Sequence, residues 1–276
     1  MKKLALAVSA VAALSGQALA ADMPMKAARP APQPVAVANW TGCYISGGIG
    51  YGLWDQENTL YDYRGATRIR ATDGWDTGGR GWLGRAQGGC DYQFSGIGPW
   101  TWVVGVFGDY DWADLSGRIS DPFFGSAANE KLSSQWAIGG RIGMLVTPQL
   151  LTYFSGGYTE AKFDQMNLVN NTARGCGVVG FGTSCGLNLP GRTYKGWFLG
   201  SGLEYSLGWA PGLTLKTEYR FSEFDLGTNT IYDDFTRLPA GGGRGYELDS
   251  RKYVQTVTTS LVYKFNWGKS PVVAKY

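Results

Sequence analysis

Histidine is absent from all 276 residues. Its absence removes the commonest metal ligand and general base, and with them histidine ligation of haem and Ser-His or Asp-His hydrolysis. Charge is sparse as well: Asp, Glu, Lys and Arg make up 17% of the chain, against roughly 25% in soluble domains. A formal net charge of +3 and the lack of any basic cluster argue against nucleic acid as a partner. After the first fourteen residues no apolar run lasts long enough for a membrane helix; Gly, Thr or a charge breaks each within a few positions. Cysteine is confined to Cys43, Cys90, Cys176 and Cys185. That even number suits an oxidising compartment, and the spacing is not that of a zinc site. No cofactor and no metal is expected.

What the chain has in quantity is glycine, 42 residues, with 16 Tyr, 12 Phe and 11 Trp. Aromatics favour strands and membrane interfaces. Its N-terminus reads as a secretory signal: basic Met1-Lys2-Lys3, an apolar stretch from Leu4 to Leu14 broken only by Ser9, and the small-x-small site Ala18-Leu19-Ala20. The expected organisation is a signal peptide over 1–20, a Pro/Ala-rich periplasmic lead-in over 21–39 (Pro24, Pro30, Pro32, Pro34), a barrel over 40–267 and a tail over 268–276.

From Trp40 onward the chain alternates with period two in eight segments, near 41–54, 78–94, 101–113, 133–146, 150–161, 194–207, 212–224 and 252–265. In the third, Trp102, Val104, Val106, Tyr110 and Trp112 oppose Gly105, Asp109 and Asp111. The seventh sets Leu213, Leu215, Tyr219 and Phe221 against Lys216, Glu218 and Arg220. The fifth segment is strand-like, with its faces unassigned. Short links near 95–100, 147–149 and 208–211 alternate with long ones near 55–77, 114–132, 162–192 and 225–251. Such asymmetry predicts an all-β, eight-stranded antiparallel up-and-down barrel of the outer-membrane type, with short periplasmic turns and long outer loops. A soluble lipocalin-like barrel also has eight strands but does not call for this alternation.

The apolar, aromatic-rich faces are expected to meet lipid, and the polar faces the lumen. Charges of both signs then line the interior: Arg85, Asp91, Asp109, Asp111, Arg141, Glu204, Lys216, Glu218, Arg220 and Lys264. Inside, they can pair with one another; in lipid an Arg or Lys would cost about 2–4 kcal/mol at mid-bilayer. Asp109 and Asp111 stand two apart on one face, and ion pairing with Arg141 or Arg220 is favoured over an acid site. Inward glycines are read as relief of crowding in a narrow barrel. Trp40, Trp54, Trp75, Trp100, Trp102, Trp112, Trp209 and Trp267 lie near segment ends and suggest interfacial girdles. Two disulfides are expected, one closing the Gly-rich loop between Cys176 and Cys185, the other joining Cys43 to Cys90 across neighbouring strands. The alternative is free thiols.

Six segments carry a family resemblance: Trp40–Gly52 (WTGCYISGGIGYG), Gly88–Phe94 (GGCDYQF), Val104–Trp112 (VGVFGDYDW), Gly139–Gly143 (GGRIG), Leu215–Arg220 (LKTEYR) and Val262–Phe265 (VYKF). The chain resembles the Omp25/Omp31-like outer-membrane barrels of α-proteobacteria, porin-family proteins within the OmpA-like β-barrel class. The resemblance implies this barrel fold and an outer-membrane location, and is weak for any activity. Similar barrels end in an aromatic residue read by the assembly machinery; here Phe265 and Tyr276 both qualify.

The expected role is a structural barrel that supports envelope integrity and presents long outer loops. The alternatives are a small-solute channel and loop-mediated adhesion or ligand binding. An enzyme ranks last, because GGRIG lies within a strand and opens no nucleotide-binding helix. The partners expected are outer-membrane lipid including lipopolysaccharide, the assembly machinery, and a host or environmental ligand at the loops.

Overall fold

A computed structural model describes residues 39–98, 100–121, 126–170, 186–234, 236–241 and 243–265. The expected leader, residues 21–38 of the lead-in, Cys176, Cys185, Trp267 and the tail with Tyr276 lie outside the described residues.

Thirteen strands occur among them: β1 (Gly42–Arg64), β2 (Thr67–Arg70), β3 (Trp75–Ile97), β4 (Trp100–Asp121), β5 (Ser126–Thr147), β6 (Leu150–Phe163), β7 (Met166–Asn170), β8 (Gly186–Leu189), β9 (Arg192–Ser206), β10 (Leu213–Phe224), β11 (Gly227–Thr230), β12 (Tyr232–Asp233) and β13 (Glu247–Phe265). Eight of them close a ring, each antiparallel to the next, in the order β1-β3-β4-β5-β6-β9-β10-β13 and back to β1. Closure removes free edges, as a chain in hydrocarbon requires, since unpaired backbone N–H and C=O groups have no water to bond there. The turn end holds Gly98 and Gly212 at φ of 66° and 81°. Such left-handed values suit glycine, which carries no Cβ to clash. Gly212 also accepts a backbone bond from Lys264 N at 2.8 Å.

The strands continue well beyond the predicted segments. Residues 55–64 and 75–77 of the first expected loop are strand, as are 114–121 and 126–132 of the second. Period-two hydrophobicity fades there because both faces change character above the membrane: the outside turns charged and the inside apolar. The remaining short strands extend this loop end, β2 on β1, β11 on β13, β7 on β5, β8 on β7 and β12 on β8.

Outward faces read clearly. Ile45, Ile49, Val106, Ile142, Phe154, Leu199 and Val257 are each at least half exposed, and Leu261 nearly so. β6, unassigned from sequence, turns Phe154 and Tyr158 out and Leu151, Tyr153, Ser155 and Thr159 in.

One aromatic row girdles the barrel toward the loop end: Trp82, Trp112, Trp136, Tyr158, Trp197, Phe221 and Tyr253. Trp136 meets Tyr158 edge to face with centroids 5.7 Å apart, Trp197 meets Phe221 tilted at 6.0 Å, and Phe221 stacks on Tyr253 at 6.1 Å. A second group, Tyr92, Trp100, Tyr205, Trp209 and Tyr263, is exposed near the turn end. On β4, Trp100 and Trp112 stand twelve residues apart, roughly 28 Å of height at ~3.3 Å per residue and ~45° tilt, close to the ~25 Å of an outer-membrane apolar band.

Three expected girdle members face inward instead. Trp54 is buried, its Nε1 donating to Leu115 O at 3.1 Å. Trp75 packs against the same interior cluster, and Trp40 is fully buried at the turn end, Nε1 donating to Pro148 O at 3.3 Å. Position near a segment end does not reveal side, and one step of register decides it.

Inward glycines make room for large side chains lying across from them. A Cβ on Gly202 would sit 2.5 Å from the Tyr153 ring, and one on Gly89 would sit 2.7 Å from the Tyr44 hydroxyl. Gly202→Val is expected to displace Tyr153 and lower unfolding stability in detergent by about 1–3 kcal/mol, the usual range for overpacking, as read by urea denaturation followed with tryptophan fluorescence.

Candidate functional site

All ten sequence-predicted charges point into the lumen and are buried. Alternation along the strands puts them there: Asp109 and Asp111 share a face of β4, as do Lys216, Glu218 and Arg220 on β10. Five are cations and five anions, so the set is formally neutral.

They form two layers. Nearer the turn end, Arg141 grips Asp91 through Nε at 2.8 Å and Nη2 at 2.5 Å, and reaches Glu204 through Nη1 at 2.9 Å. Lys264 Nζ adds 2.8 Å to Asp91 and 3.3 Å to Glu204. Thr214 donates at 2.7 Å to Glu204 Oε1, the oxygen that Lys264 also approaches. In the next layer Arg85 holds Asp111 bidentately, both bonds 2.7 Å, and touches Glu218 at 3.1 Å. Arg220 holds Asp109 with bonds of 2.9 and 2.7 Å and meets Glu218 at 2.8 Å. Tyr153 donates its hydroxyl to Glu218 at 2.9 Å, and Lys216 donates to Gln87. Thus Asp109 pairs with Arg220 and Asp111 with Arg85, while Arg141 serves Asp91 and Glu204. Planar guanidinium forks suit this bidentate geometry.

Aromatic rings seal the spaces between layers. Arg220 lies 4.3 Å from the Phe198 centroid and Arg141 4.8 Å from that of Tyr44. Below, Trp40 caps the turn end, with Lys264 Nζ 4.8 Å from its ring.

Above the charges the lumen changes character, a departure from the uniformly polar interior expected. Trp54, Leu60, Leu83, Leu115, Leu132, Phe163, Tyr194, Phe224, Leu248 and Val254 join buried Ile231 and Tyr246 from the last long link in one apolar cluster. Within it sits an ion pair not foreseen from sequence, Lys252 to Glu130 at 2.6 Å, with the Lys252 nitrogen 4.1 Å from the Phe163 centroid. Glu130 falls in the long link that the sequence predicts over 114–132, where the segment pattern gives it no face. The available signal was the alternation of 128, 130 and 132, which a register shift at Leu132/Ser134 sets out of step with the segment below.

Cys43 and Cys90 stand directly opposite on β1 and β3 and are joined by a disulfide. The bond lies on the outward face near the turn end, away from the lumen.

Every carboxylate of the network has a cationic partner, so removing one partner strands a buried charge. Arg85→Met is expected to cost about 3–5 kcal/mol, whereas Arg85→Met with Asp111→Leu should recover part of that loss. Urea unfolding of both variants in the same micelle checks the order; a double variant less stable than the single one would contradict it.

No family model matches the chain. It is similar to the 31 kDa outer-membrane immunogenic proteins of Brucella melitensis biotype 1 and Brucella suis biovar 1, each 26% identical over 269 residues, 96% of this chain and 100% of the relative. Among solved structures, the attachment invasion locus protein Ail of Yersinia pestis matches at 12% identity and a TM-score of 0.31, covering 80% of this chain and 99% of that one. The closed ring, its lipid-facing aromatic belt and its likeness to the Brucella proteins along nearly its whole length converge: the chain is an outer-membrane β-barrel protein, similar to the 31 kDa outer-membrane immunogenic proteins of Brucella.

Proposed function

We propose that the protein is a closed structural barrel, which supports the envelope and holds a sheet extension on the outer surface instead of conducting solutes. The filled lumen carries this reading. Two cross-linked layers of charge, the Trp40 cap and the apolar cluster around Leu115, Phe163 and Phe224 follow one another along the axis. Eight strands leave an interior only about wide enough for side chains. Asp109 and Asp111 are held by arginines, which favours a structural role for them over acid catalysis. Pure protein in planar bilayers is expected to give no reproducible conductance steps; large uniform steps would defeat the proposal.

A second role, attachment of a ligand at the loop end, is favoured by the extension itself. β1, β3, β4 and β5 span 22–23 residues, well past the aromatic row. The Brucella relatives are named immunogenic, in keeping with an exposed outer portion. Replacing 225–246 by a short linker is expected to leave the ring folded while lowering attachment of expressing cells to host or abiotic surfaces; unchanged attachment would remove this second role.

A further inference from the structure

A charged collar runs around the outside of the barrel, just beyond the aromatic row. On each ring strand the first outward charge past the apolar band is Asp55 on β1, Arg80 on β3, Asp114 on β4 and Lys131 on β5. The series continues with Glu160 on β6, Lys195 on β9, Glu223 on β10 and Arg251 on β13. Taken in ring order the signs alternate without exception, negative then positive, and close on themselves between Arg251 and Asp55. Registers keep most neighbours near one level: Glu160 faces Lys195 directly, Arg80 faces Leu53 beside Asp55, and Arg251 faces Glu57 beside Asp55; Lys131, whose backbone meets Asp164, stands higher than Glu160.

Mutual pairing does not account for the collar. Among the ion pairs of the described residues only Asp114–Lys131, at 2.9 Å, joins two members, and a solvent-exposed pair of this kind contributes little. The aromatic row just below sets the depth at the headgroup level. An acidic residue there meets repulsion from lipid phosphates, whereas a basic one is attracted. Alternation therefore suits a headgroup layer that itself alternates, phosphate next to divalent cation. One stretch of the collar is concave. A notch of about 200 Å³ brings Lys195 and Arg192 together with Asp225, beside Thr193 and Leu226.

We propose that this collar binds phosphorylated glycolipid of the outer leaflet. Arg80, Lys131, Lys195 and Arg251 take the phosphates, Asp55, Asp114, Glu160 and Glu223 take the divalent cations that bridge them, and the notch at Lys195 seats one headgroup. The inference rests on the outward orientation of the loop end. Hard divalent cations prefer such carboxylate and phosphate oxygens.

The test reconstitutes the full barrel into phosphatidylcholine vesicles containing bisphosphorylated lipid A, dephosphorylated lipid A or neither, with magnesium or with EDTA, and follows the thermal midpoint by heat-dependent gel mobility. Bisphosphorylated lipid A with magnesium is expected to raise the midpoint, and dephosphorylated lipid A is not. R80Q/K131Q/K195Q/R251Q should lose more than half of the rise. D55N/D114N/E160Q/E223Q should retain a rise that no longer depends on magnesium. K195Q alone, a milder change that spares folding, should lose part of it. A rise that is equal in the parent, the cation-neutralised variant and K195Q, or equal with dephosphorylated lipid, overturns the collar. A parent that fails to insert into any of the vesicles instead overturns the membrane reading on which it rests.

Discussion

Hydrocarbon offers no partner to a backbone N–H or C=O, so a chain that crosses it with strands must satisfy every one of those groups by closing its sheet. The rest of this molecule follows from that closure. Ring closure fixes a narrow lumen, and period-two alternation then forces half of every strand into it. With apolar side chains committed to lipid, the polar half has nowhere else to go. Its charges have to neutralise one another, and they do so as five cations against five anions joined by bidentate arginine forks. Buried ion pairs gain little over well-packed apolar residues, so the network is better understood as a consequence of patterning than as a source of stability.

Above the membrane the same wall meets water outside, and the logic reverses. There the exterior becomes charged and the interior apolar, as in a soluble barrel. The Lys252–Glu130 pair sits among the aromatic rings of this upper core. One barrel thus contains two solvents' worth of design, joined at the level of the aromatic row.

Much of this was legible in the sequence. The eight alternating segments gave strand number and order, and Asp109 against Val106 or Lys216 against Leu215 revealed which face was which. The ten interior charges could be named because a charge on a lipid-crossing strand has only one affordable side. Cys43 and Cys90 could be matched because neighbouring antiparallel strands near one edge bring them level.

What the sequence by itself determined was the local period, and hence the fold class and the sidedness of residues between the two girdles. Tertiary structure alone decided which carboxylate meets which arginine, because those contacts join residues such as Arg85 and Glu218 across the lumen, where ring order and stagger set the geometry. It also decided where the strands end and that Trp54 and Trp75 turn inward, since beyond the bilayer the hydrophobic pattern inverts and no longer marks lipid. The charged collar is of the same kind. Each of its members is an ordinary strand residue, and their alternation exists only once the ring has closed, because sign order is a property of neighbours around the wall and not along the chain.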